Sequence, residues 1–211
     1  EEKRFTMAQL VAALRGDFEG YADLHRWVWN RAPKFGNDDP DTDALAAWVV
    51  DVFCDATLAE RTYDGGRFLP LIAANVSNIH AGKETAATPD GRRAGAPLSD
   101  AASPTYGQDR QGPTAVVQSM TRPAWHKVVG GSVLNQKYHA AALANPANRA
   151  KLASLLKVFF AQGGQEMQFN VVRAEDLRRA LAHPEEHAHL VVRVSGFSAR
   201  FVSLPKEVQQ D

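Results

Sequence analysis

The chain has 211 residues, 45% hydrophobic and 23% charged, a composition that fits a folded domain with a sizeable core and excludes a disordered chain. Its 24 basic and 24 acidic residues cancel, so no bulk charge draws it to nucleic acid or to a membrane surface. No apolar run approaches the ~20 residues of a membrane-spanning helix, and the polar start Glu1-Glu2-Lys3-Arg4 has no signal-peptide core, which points to a cytoplasmic protein.

In chain order, Thr6 is placed to cap a first helix with Met7, Leu10, Val11 and Leu14 on one face and Gly16 at its end. A second helix carries Tyr21, Leu24 and Val28 and must stop before Pro33. Residues 34–41 are polar and turn-rich. A longer helix follows, with Leu45, Trp48, Val49, Val52 and Phe53 at helical spacing. From 63 to 114, twelve Gly and Pro residues leave little room for long regular elements. Short apolar runs at 68–76, 115–117, 132–134 and 167–172 are strand candidates, giving about four or five strands. Between the last two lies a strong helix. Asn145 caps it, Pro146 takes its first position, and Leu152, Leu155, Leu156, Phe159 and Phe160 form its apolar face. Another helix covers Ala174 to Ala182. The stretch 190–202 places two β-prone arms around Ser195-Gly196, a hairpin signature in which glycine supplies an unusual backbone geometry. Strands alternating with helices predict an α/β fold.

Several segments imitate sites and have plainer readings. Cys54 is the single cysteine, which excludes an intrachain disulfide framework. Inside an apolar helix it reads as a small buried hydrophobe rather than a nucleophile. His183 and His187 have metal-ligand spacing, but Pro184 favours a helix start between them, so the segment reads as a solvated cap. The Gly91-Arg92-Arg93-Ala94-Gly95 loop lacks the Gly-Lys-Ser/Thr ending of a phosphate loop and reads as a turn whose arginines grip a carboxylate. Val194-Ser195-Gly196 is not a hydrolase elbow.

The string Arg193-Val194-Ser195-Gly196-Phe197-Ser198-Ala199-Arg200-Phe201 closely resembles the radical signature of the pyruvate formate-lyase-like glycyl radical enzymes. Three more segments fit that family in the same order: Thr88 to Gly95, Gly112-Pro113-Thr114-Ala115-Val116 and Gln168-Phe169-Asn170-Val171-Val172. The Phe35-Gly36-Asn37-Asp38-Asp39 turn is also similar, so the resemblance spans nearly the whole chain. Two features depart from it. Phe197 stands where the family commonly has Tyr, and Phe53-Cys54-Asp55 does not match the Gly-Cys context of the family's thiyl-forming cysteine, which lies far upstream in a longer chain. With no initiating methionine and the family's tail cut short after Asp211, the sequence reads as a piece of something longer.

The resemblance implies a fold and a chemistry. The fold is a ten-stranded α/β barrel of two five-stranded halves, of which this chain is about one half, with Gly196 on a buried loop near the C-terminus. Residues 1–62 are then a helical segment of the catalytic barrel region, and 63–211 form the glycyl radical domain. The backbone of Gly196 stores a radical that an activating enzyme installs, using S-adenosylmethionine and an iron–sulfur cluster. This chain itself holds no permanent cofactor or metal. The radical passes to a cysteine on a partner or a missing N-terminal half, and the resulting thiyl attacks a small organic substrate, making the chain one part of an anaerobic lyase or synthase. An alternative reading is a replacement module that restores an oxygen-damaged enzyme. Met120-Thr121-Arg122 and the stretch 130–137 point away from pyruvate formate-lyase itself. They point to the branch of diol dehydratases, arylacetate decarboxylases and fumarate-adding synthases, with Phe197 and the stretch 131–137 leaning to the last.

Overall fold

The computed structural model describes residues 4–74, 76–194 and 196–210. Helices α1 (Met7–Arg15), α2 (Ala22–Asn30) and α3 (Pro40–Ala59) open the chain. The short α4 (Ser77–Lys83) and α5 (Pro113–Met120) sit among long loops, and a 3-10 turn at Trp125–Lys127 leads into strand β1 (Val133–Lys137). Then come α6 (Ala140–Ala144), α7 (Pro146–Ala161), β2 (Glu166–Asn170), α8 (Ala174–Ala182), β3 (Val191–Val194), β4 (Phe197–Arg200) and α9 (Lys206–Gln210).

Local chemistry sets most of the helix boundaries. Thr6 and Gln9 form a reciprocal capping box at the start of α1, and Gly16 closes it. Asp39 accepts the Thr42 N–H at 2.9 Å, with Pro40 in the first turn of α3. The side chain of Asn145 accepts the Ala147 N–H at 2.9 Å, as expected for the cap of α7.

β1 and β2 pair in parallel, Val133 opposite Glu166 through Lys137 opposite Asn170, with α6 and α7 forming the crossover between them. β3 and β4 form an antiparallel hairpin. The main core lies between this β1–β2 unit and the helices: Val116, Val117 and Met120 of α5, Trp125, Val128, Leu134, Phe159 and Met167 are all buried, together with Cys54. A smaller core of Ala13, Phe18, Leu24, Val28 and Ala87 joins α1 to α2.

Two expectations are corrected. The run 115–117 is helical, because Gly112 at φ +82° and Pro113 start a helix that a short β-branched run cannot resist. The run 68–76 forms no strand among its described residues. Pro70 interrupts it, Phe68, Leu69 and Leu71 are exposed, and only Ile72 makes an isolated bridge, to Ser132. Asn75 lies outside the described residues. The four strands therefore form two separate pairs, and no five-stranded half-barrel is closed among the described residues.

α3 carries apolar residues on two sides, and only one of them meets this chain's own core. Cys54 and Val50 face the main core, whereas the stripe Leu45, Trp48, Val49, Val52 and Phe53 is 44–61% exposed. A helix of this kind is expected to be covered on both sides, and an exposed apolar face of this size marks an interface.

Asp43, also on α3, is 1% exposed. Its Oδ2 accepts the Ser119 hydroxyl at 2.9 Å, and Ser119 Oγ accepts the Asp38 N–H at 2.9 Å. Asp43 Oδ1 has no hydrogen-bond partner. Burial pushes this carboxyl above the usual carboxylate range, the Ser119 hydrogen bond opposes that, and repulsion from Asp38 adds to it. A carboxyl with a raised native pKa binds its proton more tightly in the native state. It favours folding below about pH 4 and loses that advantage as pH rises through the raised native value. Asp43→Asn keeps the acceptor for Ser119 and cannot ionise. Thermal melts from pH 4 to 8 should show the native protein losing stability relative to this variant as pH increases.

Candidate active site

The alternation of β2 builds the site. Met167 is buried in the main core and Phe169 packs against it, so Glu166, Gln168 and Asn170 share the opposite face, towards the hairpin. Asn170 treats β3 as a neighbouring strand. Its Oδ1 accepts the Arg193 N–H at 2.8 Å, and its Nδ2 donates to the Arg193 carbonyl. One side-chain amide thus replaces the two ladder bonds that β2 and β3 lack. Asn170→Leu should remove both bonds, leave the Arg193 backbone unpaired and loosen the hairpin by about 1–3 kcal/mol. Amide hydrogen exchange of residues 191–200 should rise, while α7 stays protected.

Gln168 reaches further along the hairpin. It is 5% exposed, and its Oε1 accepts the Gly196 N–H at 2.8 Å and the Arg193 Nε–H at 3.3 Å. Its Nε2 donates to Glu166 Oε1 at 2.6 Å. Gly196 itself has φ +108°, a region that side chains resist. Space is not the constraint there: a Cβ at Gly196 would meet only Gln168 Nε2, at 3.9 Å. The burial expected of Gly196 is not present in this chain taken alone, where the residue is exposed at the hairpin tip. Ser195 lies outside the described residues.

Behind the hairpin is a cavity of about 180 Å³, lined by Gln168, Asn170, Arg193 and Val194 on one side and by Asn135, Lys137 and Tyr106 on the other. Asn135 Nδ2 donates to Asp100 Oδ2 at 2.7 Å, and the Lys137 ammonium stands 4.6 Å from the Tyr106 ring centroid.

The segments that imitate sites have the following surroundings. Cys54 is fully buried, and the apolar surroundings push its thiol pKa up, away from the nucleophilic thiolate. Arg92 is buried and donates to the carbonyls of Thr85, Ala86, Arg93 and Ala96, and Arg93 pairs with Asp17 at 3.4 Å. His183 comes together with Glu185 and Glu186 rather than with His187, and all three are exposed. The anchoring by Gln168 and Asn170 was missed from sequence. Its signal was present in the polar–apolar alternation of 166–170, where every second side chain has to face something other than the core.

Residues 98–202 match the family described as glycine radical, and residues 1–82 match the family described as pyruvate formate lyase-like. The chain belongs to the glycyl radical enzymes. The glycyl radical enzymes it resembles include the probable dehydratase YbiW of Escherichia coli, 38% identical over 100% of this chain and 27% of that protein. Among solved structures, the B12-independent glycerol dehydratase of Clostridium butyricum is 38% identical with a TM-score of 0.93, over 99% of this chain and 26% of that one. A Roseburia inulinivorans structure concerned with 1,2-propanediol dehydration is 35% identical with a TM-score of 0.95, over 100% and 27% of the two chains. The chain therefore spans about a quarter of the length of these relatives. Its glycyl radical domain implies a radical derived from the protein itself. All three relatives are dehydratases by name or title, so the lean towards fumarate-adding enzymes draws no support from them.

Proposed function

We propose that this chain is the radical-bearing portion of a larger glycyl radical dehydratase and that Gly196 stores the radical. The observation that carries the reading is Gly196 at the hairpin turn of the family-matched stretch, at φ +108° with its amide hydrogen-bonded to Gln168. A radical at a backbone Cα is stabilised by delocalisation between the flanking amide nitrogen and carbonyl, which requires a planar centre. Glycine alone leaves that centre uncrowded.

In this reading an activating enzyme, using S-adenosylmethionine and an iron–sulfur cluster, removes one hydrogen atom from Gly196 Cα. A cysteine on the remaining three quarters of the protein returns a hydrogen atom to Gly196 and becomes a thiyl. The thiyl takes a hydrogen atom from a hydroxyl-bearing substrate carbon. The neighbouring hydroxyl then leaves with a proton as water, and the product radical recovers its hydrogen atom from the thiol. The balance is one diol in, one carbonyl and one water out. Small vicinal diols are the substrate class that the diol-dehydrating relatives support.

The same reading keeps residues 1–62 as part of the catalytic barrel and 63–211 as the radical domain. The remainder of the protein completes the barrel, buries Gly196 and covers the apolar face of α3. An anaerobic cytoplasm is its setting, because oxygen attacks a backbone radical. The replacement-module alternative draws no support from relatives that all carry this segment within a longer protein.

Anaerobic activation followed by electron paramagnetic resonance tests the proposal. A doublet near the free-electron g value is expected. Its absence under conditions that activate a related full-length enzyme in the same tube would sink the assignment.

A further inference from the structure

We infer that Gln168 is a positioning residue for the radical, tuning it through the Gly196 amide; this rests on Gly196 being the radical site. The Gly196 N–H is the only link between the radical carbon's nitrogen and a side chain among the described residues, and its acceptor is held by contacts of its own. Gln168 is nine-tenths buried or more, stands on a strand whose other face is in the core, and is fixed at its far end by Glu166 at 2.6 Å. The Arg193 Nε–H shares the same oxygen, so both acceptor sites of Gln168 Oε1 are used within the hairpin.

Two consequences follow for a radical on Gly196. First, the hydrogen bond fixes the peptide plane on the nitrogen side of Cα. The flattening that delocalisation requires, starting from φ +108°, must then be made mainly by the carbonyl side, towards Phe197. Second, an acceptor on the N–H makes that nitrogen a better electron donor into the half-filled orbital. Spin then moves from Cα to nitrogen, and the radical is stabilised. A purely structural role for Gln168 would hold the hairpin without altering that distribution.

The test uses the chain assembled with its cysteine-bearing portion and activating enzyme, with 15N at glycine. Gln168→Leu keeps the bulk and removes the acceptor. It should give a doublet with wider α-proton splitting and smaller 15N coupling, and a radical lifetime shorter by about fivefold, the factor that one lost neutral hydrogen bond represents. The exchanged pair Glu166→Gln with Gln168→Glu restores an oxygen acceptor for Gly196 and a donor beside it. With a carboxylate as the stronger acceptor, it should narrow the splitting and restore the lifetime to at least the native values, and it covers the case in which the leucine variant fails to fold. Native splitting, 15N coupling and lifetime in a folded Gln168→Leu variant would overturn the inference, as would an exchanged pair that folds but keeps a widened doublet. The absence of any doublet in the native protein would instead remove the assignment of Gly196, and the role of Gln168 with it.

Discussion

Gly196→Ala should abolish the doublet and reduce turnover to background, while the protein remains folded. The two effects separate because they have different causes. The structural effect is small: the added Cβ meets only Gln168 Nε2, at 3.9 Å, an ordinary contact. What remains is the strain of a side chain at φ +108°, about 1–3 kcal/mol. For a chain of this length that lowers the melting temperature by roughly 2–4 °C per kcal/mol. The chemical effect is total, since the methyl group crowds the planar centre that delocalisation needs and changes the hydrogen available for removal. Phe197→Tyr, which restores the residue more common in the family, is the companion measurement and should keep the doublet. A strong doublet in Gly196→Ala would place the radical elsewhere. An unfolded variant would show that the hairpin tip matters to packing far more than its exposure suggests.

How much of this was legible in the sequence depended on whether local chemistry or tertiary contact decided each element. Thr6, Gly16, Asn145 and Pro146 act within one turn of the backbone, so the boundaries of α1 and the start of α7 were readable, and the span 174–182 of α8 was read as well. The run 115–117 was misread because β propensity was weighed above the Gly112-Pro113 start signal. The run 68–76 was misread because apolar residues were taken to mean burial, whereas Phe68, Leu69 and Leu71 are exposed in this chain. Gly196 was legible through the resemblance of its neighbours, not through periodicity. The contacts of Gln168 and Asn170 span 23 to 28 residues of sequence, and no local pattern encodes which hairpin atom each amide meets. The direction in which α3 turns was hidden for another reason: it is apolar on both sides, and spacing alone cannot say which side meets this chain's own core.

That second side of α3 carries the other large effect. Trp48 and Val52 lie four residues apart on the exposed stripe, at 61% and 49% exposure. In the proposed enzyme they are covered by the remaining three quarters of the protein, since each named relative holds the equivalent of this chain inside a chain about four times longer. Replacing both with Glu should leave this chain's own stability within roughly 0.5 kcal/mol per site, because neither side chain belongs to its core. It should also make the separate chain less prone to associate. Docking to the cysteine-bearing portion should weaken by at least about 100-fold, because two charges would have to be buried where an aromatic anchor sat. Titration of one portion against the other reads the first effect, and turnover after anaerobic activation reads the second. Unchanged docking and turnover would show that this face is not the joint. Loss of self-association with docking intact would assign the stripe to a second copy of the chain. If docking and turnover fall together while the melting curve of the separate chain is unmoved, α3 is the element through which the radical-bearing portion is held against the cysteine it must reach.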